Sequence, residues 1–428
     1  MQSIALPRLF RVRQHFERTQ VPDVAAEVES QLGRLALGDK VLTGQSVAVS
    51  AGSRGIANID TILKAAVDHL LRLGAKPFIV PAMGSHGGGT AEGQQAILER
   101  YGITETRIGC PIRASMETVV VCQTPEGVPV HFDRFAFEAD HVLVCGRVKP
   151  HTNFVGDIES GLMKMMLIGL GKHEGAKVYH RAIHDYSFGH IVRSVATEVL
   201  AKCDVVAGLA IVENAYDETA LIEAVSPERF ESREKELLVL ARQWIPRLPF
   251  ERCDLLLIDE IGKDISGAGM DTNVVGRKYL DHRTAEHETP KVKWIAVRGL
   301  TEQTHGNAAG IGIADFCTRR TVEQTDWSIT KINCMTAGNP QGAMTPVVYD
   351  ADRELLSASL PALGMTQPKD ARILWIRDTL HLAEVECSEV YLDEARERDD
   401  LQIIASPRKM EFDARNNLLP LESILAGG

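Results

Sequence analysis

The feature that most constrains this chain is an order of elements repeated through its first half. A short unbroken apolar run is followed by a Gly-rich or polar loop, and then by an amphipathic helix. Residues 46–50 (SVAVS) form the first run; the loop AGSRGIANI follows. In the helix after it, Ile62, Ala66 and Leu70 share one face, with Leu63 and Val67 beside them. The run around residues 78–80, the loop 83–90 and the helix AEGQQAILERYG repeat the order, and 141–145 (HVLVC) begins it a third time. A strand that is apolar at every position has both faces buried. This predicts a parallel sheet covered by helices. Such sheets bind ligands at the carboxyl ends of their strands, so the three loops are where chemistry is expected.

The second half begins the pattern again. Residues 253–258 (CDLLLI) read as a buried strand, and Gly-rich and polar sequence follows from 262 to 290. Residues 292–297 (VKWIAV) and 371–376 (ARILWI) read as further strands. The 428 residues suffice for two domains. The expected fold class is α/β: two α/β domains with mainly parallel sheets flanked by helices, and the active site in the interdomain cleft. The expected boundaries are 1–265 for an N-terminal domain carrying the cofactor and catalytic motifs and 266–405 for a C-terminal domain. A tail, 406–428, is expected to return to the N-terminal domain.

Composition excludes several classes. With 47 basic and 58 acidic residues the formal charge is −11, and no basic run is present, so nucleic acid is not an expected partner. The eight cysteines include no C-x-x-C pair, which argues against a zinc ribbon and fits a reducing cytoplasm. The N-terminal sequence has no apolar signal-peptide core. The longest apolar stretch, 161–171, is interrupted by Lys164 and falls short of the ~18 residues that a membrane span needs. The expectation is a cytoplasmic protein with no membrane partner.

Four features carry chemistry. The loop GSHGGGT, residues 84–90, is four-sevenths glycine and precedes a helix, an arrangement that suits an anion. It matches neither G-x-G-x-x-G nor a P-loop. Its His86 can move a proton near neutral pH. Arg54, at the end of the first strand, suits bidentate recognition of a carboxylate or phosphate. Five of the 14 histidines, 151, 173, 180, 184 and 190, lie within 40 residues, which points to metal binding or proton transfer. His180 and His184 are four apart, but Arg181 rules out the H-E-x-x-H zinc pattern. Lys164 stands among Leu162, Met163, Met165, Met166, Leu167 and Ile168. It is either a snorkelling side chain or a buried, nucleophilic amine.

Together these pieces resemble one family, the nickel-dependent lactate racemases and related 2-hydroxyacid racemases and epimerases. That family carries an Arg loop, a G-T-H loop, a P-H element, a S-G-G-x-K segment, and a His sixteen residues after that Lys. Here the order is Ser53-Arg54, then Gly84-Ser85-His86, Pro150-His151, Ser160-Gly161-Leu162-Met163-Lys164, and His180. The resemblance covers residues 45–190. The sequence departs from the family where Ala51 replaces an Asp, where Gly55 replaces a Pro, and in Leu162 and Met163.

The resemblance implies a racemase or epimerase that inverts C2 of a 2-hydroxy acid. It implies a nickel-pincer nucleotide (a nickel pyridinium-3,5-bisthiocarboxylic acid mononucleotide) attached covalently to Lys164, with His180 as nickel ligand and Gly87 and Gly88 against the cofactor. It further implies His86 and His151 as alternating acid and base, Arg54 on the substrate, and cofactor-biosynthesis proteins as partners. Lys263, in the polar segment 258–273, is the candidate second-domain substrate cation. Two rival readings remain from the residues: a nickel-free His/Lys proton-transfer epimerase or hydro-lyase on a sugar acid, and a non-catalytic binder of small anions.

Overall fold

The computed structural model describes residues 4–53, 55–280, 282–419 and 421. Its strands are, in chain order, β1 (Leu9–Gln14), β2 (Ser46–Ala51), β3 (Lys76–Pro81), β4 (Thr118–Gln123), β5 (Pro129–Asp133), β6 (His141–Arg147), β7 (Val205–Glu213) and β8 (Thr219–Val225). There follow β9 (Arg252–Ile258), β10 (Lys291–Val297), β11 (Phe316–Thr318), β12 (Val347–Tyr349), β13 (Ile373–Ile376), β14 (Glu384–Ser388) and β15 (Leu401–Arg408). The chain forms two compact units. One is Glu17–Ile245; the other joins the segment ending at Phe16 to the chain from Pro246 onward.

The Glu17–Ile245 unit is built on a sheet of order β3-β2-β6-β7-β8, parallel except for β8. Alternate residues of its strands enter different cores. Val47, Val49 and Leu143 pack with Ile62, Leu63, Ala66 and Leu70 of the helix Ile59–Arg72. Ala48, Val142 and Val144 pack on the other face with Met166, Leu167, Tyr179 and Val195. Each buried Val, Leu, Ile or Met among them contributes roughly 1.5–3 kcal/mol, and a strand with two dry faces must be apolar throughout. From β2 the chain crosses to β3 on one side; from β6 it crosses to β7 on the other. The carboxyl ends of β2 and β6 therefore flank a topological switch point, where open α/β sheets bind ligands.

The other unit is an eight-stranded sheet of order β12-β11-β10-β9-β13-β14-β1-β15. The five strands β12 to β13 are parallel, and β14, β1 and β15 extend them antiparallel. This corrects the expected boundaries. β9 is central to this sheet rather than the end of the preceding domain, and β1 is inserted between β14 and β15, pairing Phe10 with Cys387 and Arg11 with Ala405. The C-terminal tail also stays here: Leu418 N donates to Asp352 Oδ2 (2.8 Å), and Leu418 O accepts from Arg298 Nη2 (2.7 Å). Such pairings join segments hundreds of residues apart, and no local pattern names the partner. Among the described residues no helix is long and apolar enough to cross a membrane.

Candidate functional site

The loop after β2 is braced from three directions. Tyr101 Oη donates to Ser53 O (3.1 Å), Arg147 Nη1 donates to Gly55 O (3.0 Å), and Ala57 N donates to Glu213 Oε1 (2.7 Å). Arg54 itself lies outside the described residues. Its neighbour Ser53 turns its hydroxyl to His86 Nδ1, which joins this loop to the one after β3.

In that second loop Gly87, Gly88 and Gly89 all have positive φ, between 65° and 68°. A Cβ on Gly87 would stand 2.5 Å from the backbone of Gly93, in the helix Ala91–Arg100. Gly87 is therefore glycine because the loop packs on that helix. Gly88 faces open space. Gln94, fully buried, donates to Gly84 O (3.0 Å) and His86 O (3.3 Å) and so fixes where His86 stands.

The loop after β6 is pinned at both ends. Ser160 Oγ accepts from Lys149 N (2.7 Å) and donates to Lys149 O (2.6 Å). The buried carboxylate of Glu159 accepts from His151 N (2.9 Å), Gly156 N (3.1 Å) and Arg242 Nη2 (2.9 Å). The His151 ring stacks on Phe154 at 4.2 Å, and the Lys164 ammonium lies 5.4 Å from the centre of the same Phe154 ring.

Lys164 ends the four-residue helix Gly161–Lys164 and is half-buried. One π turn, Met165–Gly169, follows it, a local widening of the helix that recurs at functional sites. Glu234, fully buried, accepts from Met163 N (3.0 Å) and so holds the Lys164 helix from behind. Gly84 N donates to Gly169 O (3.3 Å), which brings the His86 loop against this segment.

His180 and His184 share the helix Lys172–Asp185, as their spacing predicts. Burial pushes the His180 imidazole toward its neutral form, and the charges of Lys164 and His184 act the same way. A neutral imidazole is the metal-binding form. Among the described residues, however, no three His, Cys, Asp or Glu side chains gather as a metal site. His180 thus offers one imidazole to a metal, and Lys164, close enough to act on it electrostatically, an amine.

The fully buried lysine of this region is Lys172, which pairs with Asp133 (2.8 Å) and donates to Pro81 O. The sequence singled out none of Lys172, Gln94, Glu159 and Glu234, whose roles depend on partners up to 91 residues away. In the other unit, Lys263 Nζ donates to Gly267 O (2.6 Å), within its own loop.

Residues 14–188 match the family model of the lactate racemase N-terminal domain. The match spans less than half of the chain and marks a likeness to that domain family. His86, His151, Lys164 and His180 all lie within it. Over more of its length the chain shares a fold with two solved structures. One is the lactate racemase apoprotein from Thermoanaerobacterium thermosaccharolyticum (12% identity, 86% of this chain and 98% of that one, TM-score 0.50). The other is a structural-genomics protein from Thermotoga maritima (13% identity, 77% and 84%, TM-score 0.50). No curated protein matches the chain in sequence. The matched stretch thus places its motif residues on the loops that leave β2, β3 and β6, and on the helix that follows.

Proposed function

We propose that the protein is an isomerase that inverts C2 of a 2-hydroxy acid, with a nickel-pincer nucleotide held on Lys164. The observation that carries this reading is the grouping of Lys164 with His180, whose charged form burial disfavours, and of His151 beside Lys164 on Phe154. A bound nickel-pincer nucleotide supplies a reversible acceptor for the hydride of an unactivated C–H bond. The chain's own part is to hold and orient. Lys164 offers the amine for attachment, His180 one imidazole for the metal, and the loops of His86 and His151 the groups that handle the hydroxyl proton. Arg54, next to Ser53, is our candidate for the substrate carboxylate. Eight free cysteines support a reducing cytoplasm as its location.

The test is co-expression with cofactor-biosynthesis proteins, followed by intact mass, nickel assay and chiral chromatography on D and L 2-hydroxy acids. We expect an adduct on the peptide containing Lys164, lost in Lys164→Ala, and stoichiometric nickel. Inversion of at least one substrate is also expected. An adduct elsewhere, or none, would refute the attachment; nickel-loaded protein without any C2 inversion would refute the activity.

A further inference from the structure

The helix Trp327–Thr336 is amphipathic the wrong way round. Its inward side is small and polar: Thr330 and Cys334 are buried, and Thr330 Oγ1 accepts from Ala308 N (3.0 Å) and donates to Gly306 O (3.4 Å). Its outward side is apolar. Ile329, Ile332 and Met335, three residues apart, share one face and are between 45% and 68% exposed. A surface helix that meets only its own core buries such residues instead. The chain then turns back onto the helix, with Asn339 N donating to Cys334 O (2.9 Å), and runs through Met344 to Val347 in β12, the edge strand of its sheet. Met344 and Val347 are more than half exposed as well. Charge is depleted in the same stretch: of residues 327–349 only Lys331 carries one, although a quarter of the chain is charged. Exposed apolar side chains with charge depleted around them mark the core of a protein interface rather than a solvated surface.

We infer that this face joins two copies of the chain, with the two helices antiparallel about a two-fold axis at Ile332. A second copy fits on three counts. The face is symmetric about Ile332, so the antiparallel arrangement sets Ile332 against Ile332, and Ile329 against Met335 at either end. At roughly 100 Å² each, the five side chains offer about 500 Å², the non-polar share of the ~800 Å² that each partner buries in a standard stable interface. The chain also carries a net charge of −11, so two copies repel over most of their surfaces, and this nearly uncharged stretch lets them meet without that repulsion.

Sedimentation velocity on the full-length protein should show a dimer at ~10 μM. Ile332→Glu would set two carboxylates face to face in an apolar contact and should weaken association at least ~100-fold. Met365→Glu is the control. Met365 is 98% exposed, but Leu363 before it packs in the core on the opposite face of the sheet from Trp327. This variant should associate within about twofold of the parent. Ile332→Cys, treated with a short bis-maleimide, should be trapped as a covalent dimer, while Met365→Cys should run as a single chain on a denaturing gel. A protein that is monomeric at ~10 μM, or a dimer indifferent to Ile332→Glu, would overturn the inference. A dimer broken by Ile332→Glu but not cross-linked through Ile332→Cys would overturn the antiparallel pairing. No readout involves turnover, so the result stands whatever the activity.

Discussion

Glu234→Gln tests the physical reading of the Lys164 support. Glu234 lies on the helix Phe230–Trp244, fully buried, with Oε2 accepting from Met163 N. A Cβ on Gly161 would stand 2.6 Å from its carboxyl carbon, so nothing larger than glycine fits between them. Burial raises the carboxyl from 4.5 to about 8, against the lowering effect of its bonds to the Met163 and Leu162 amides. The folded state therefore keeps a proton that the unfolded chain loses. Stability is fully present below the unfolded value of 4.5 and falls as pH rises, until the folded group ionises near 8. At ~1.4 kcal/mol per unit, the loss over this window is on the order of 5 kcal/mol. For a unit of this size that corresponds to roughly 10–20 °C in melting temperature. Gln keeps the accepting oxygen and has no proton to lose. Calorimetric melts of both proteins should nearly coincide at the acid end of this window and diverge as pH rises, the variant melting higher near 8. Parallel pH profiles, or a variant that melts lower near 8, would refute the buried neutral acid.

Three further outcomes follow from the same geometry. Gly87→Ala should destabilise by ~2–5 kcal/mol, because it adds a clash with Gly93 to the ~1–2 kcal/mol of a left-handed backbone. Gly88→Ala, in open space, should show only the smaller term in urea unfolding. Lys172→Met should cost ~3–5 kcal/mol, because it leaves Asp133 buried without its cation, and adding Asp133→Asn should recover part of that loss in the same assay. Burial pushes the Cys145 and Cys253 thiols up to about 12, so brief alkylation of native protein near neutral pH, read by peptide mass, should spare both and mark the half-buried Cys122 first.

The positions of β2, β3, β6, β9, β10 and β13 were legible in the chain because each holds a short run that is mostly apolar and mostly buried. The order Arg54, His86, His151, Lys164, His180 was legible as a motif for a similar reason: unusual residues in glycine-rich or apolar company stand out locally. β1, β14 and β15 were not. Their sequences LFRVRQ, EVECS and LQIIASPR mix charged and apolar residues, and Arg11 is buried only because Glu386 pairs with it across the sheet (2.6 Å).

What the sequence alone determined, then, was a parallel α/β sheet and which three loops leave the carboxyl ends of its strands. Both follow from periodicities within about fifteen residues. Only the tertiary structure decided the division of the chain after Phe16 and Ile245, and which lysine is sealed from solvent. It alone decided that Ser53 faces His86 and that Glu159 accepts from the His151 amide. Those outcomes depend on pairing between distant segments, where burial and hydrogen-bond satisfaction over the whole unit select the partner.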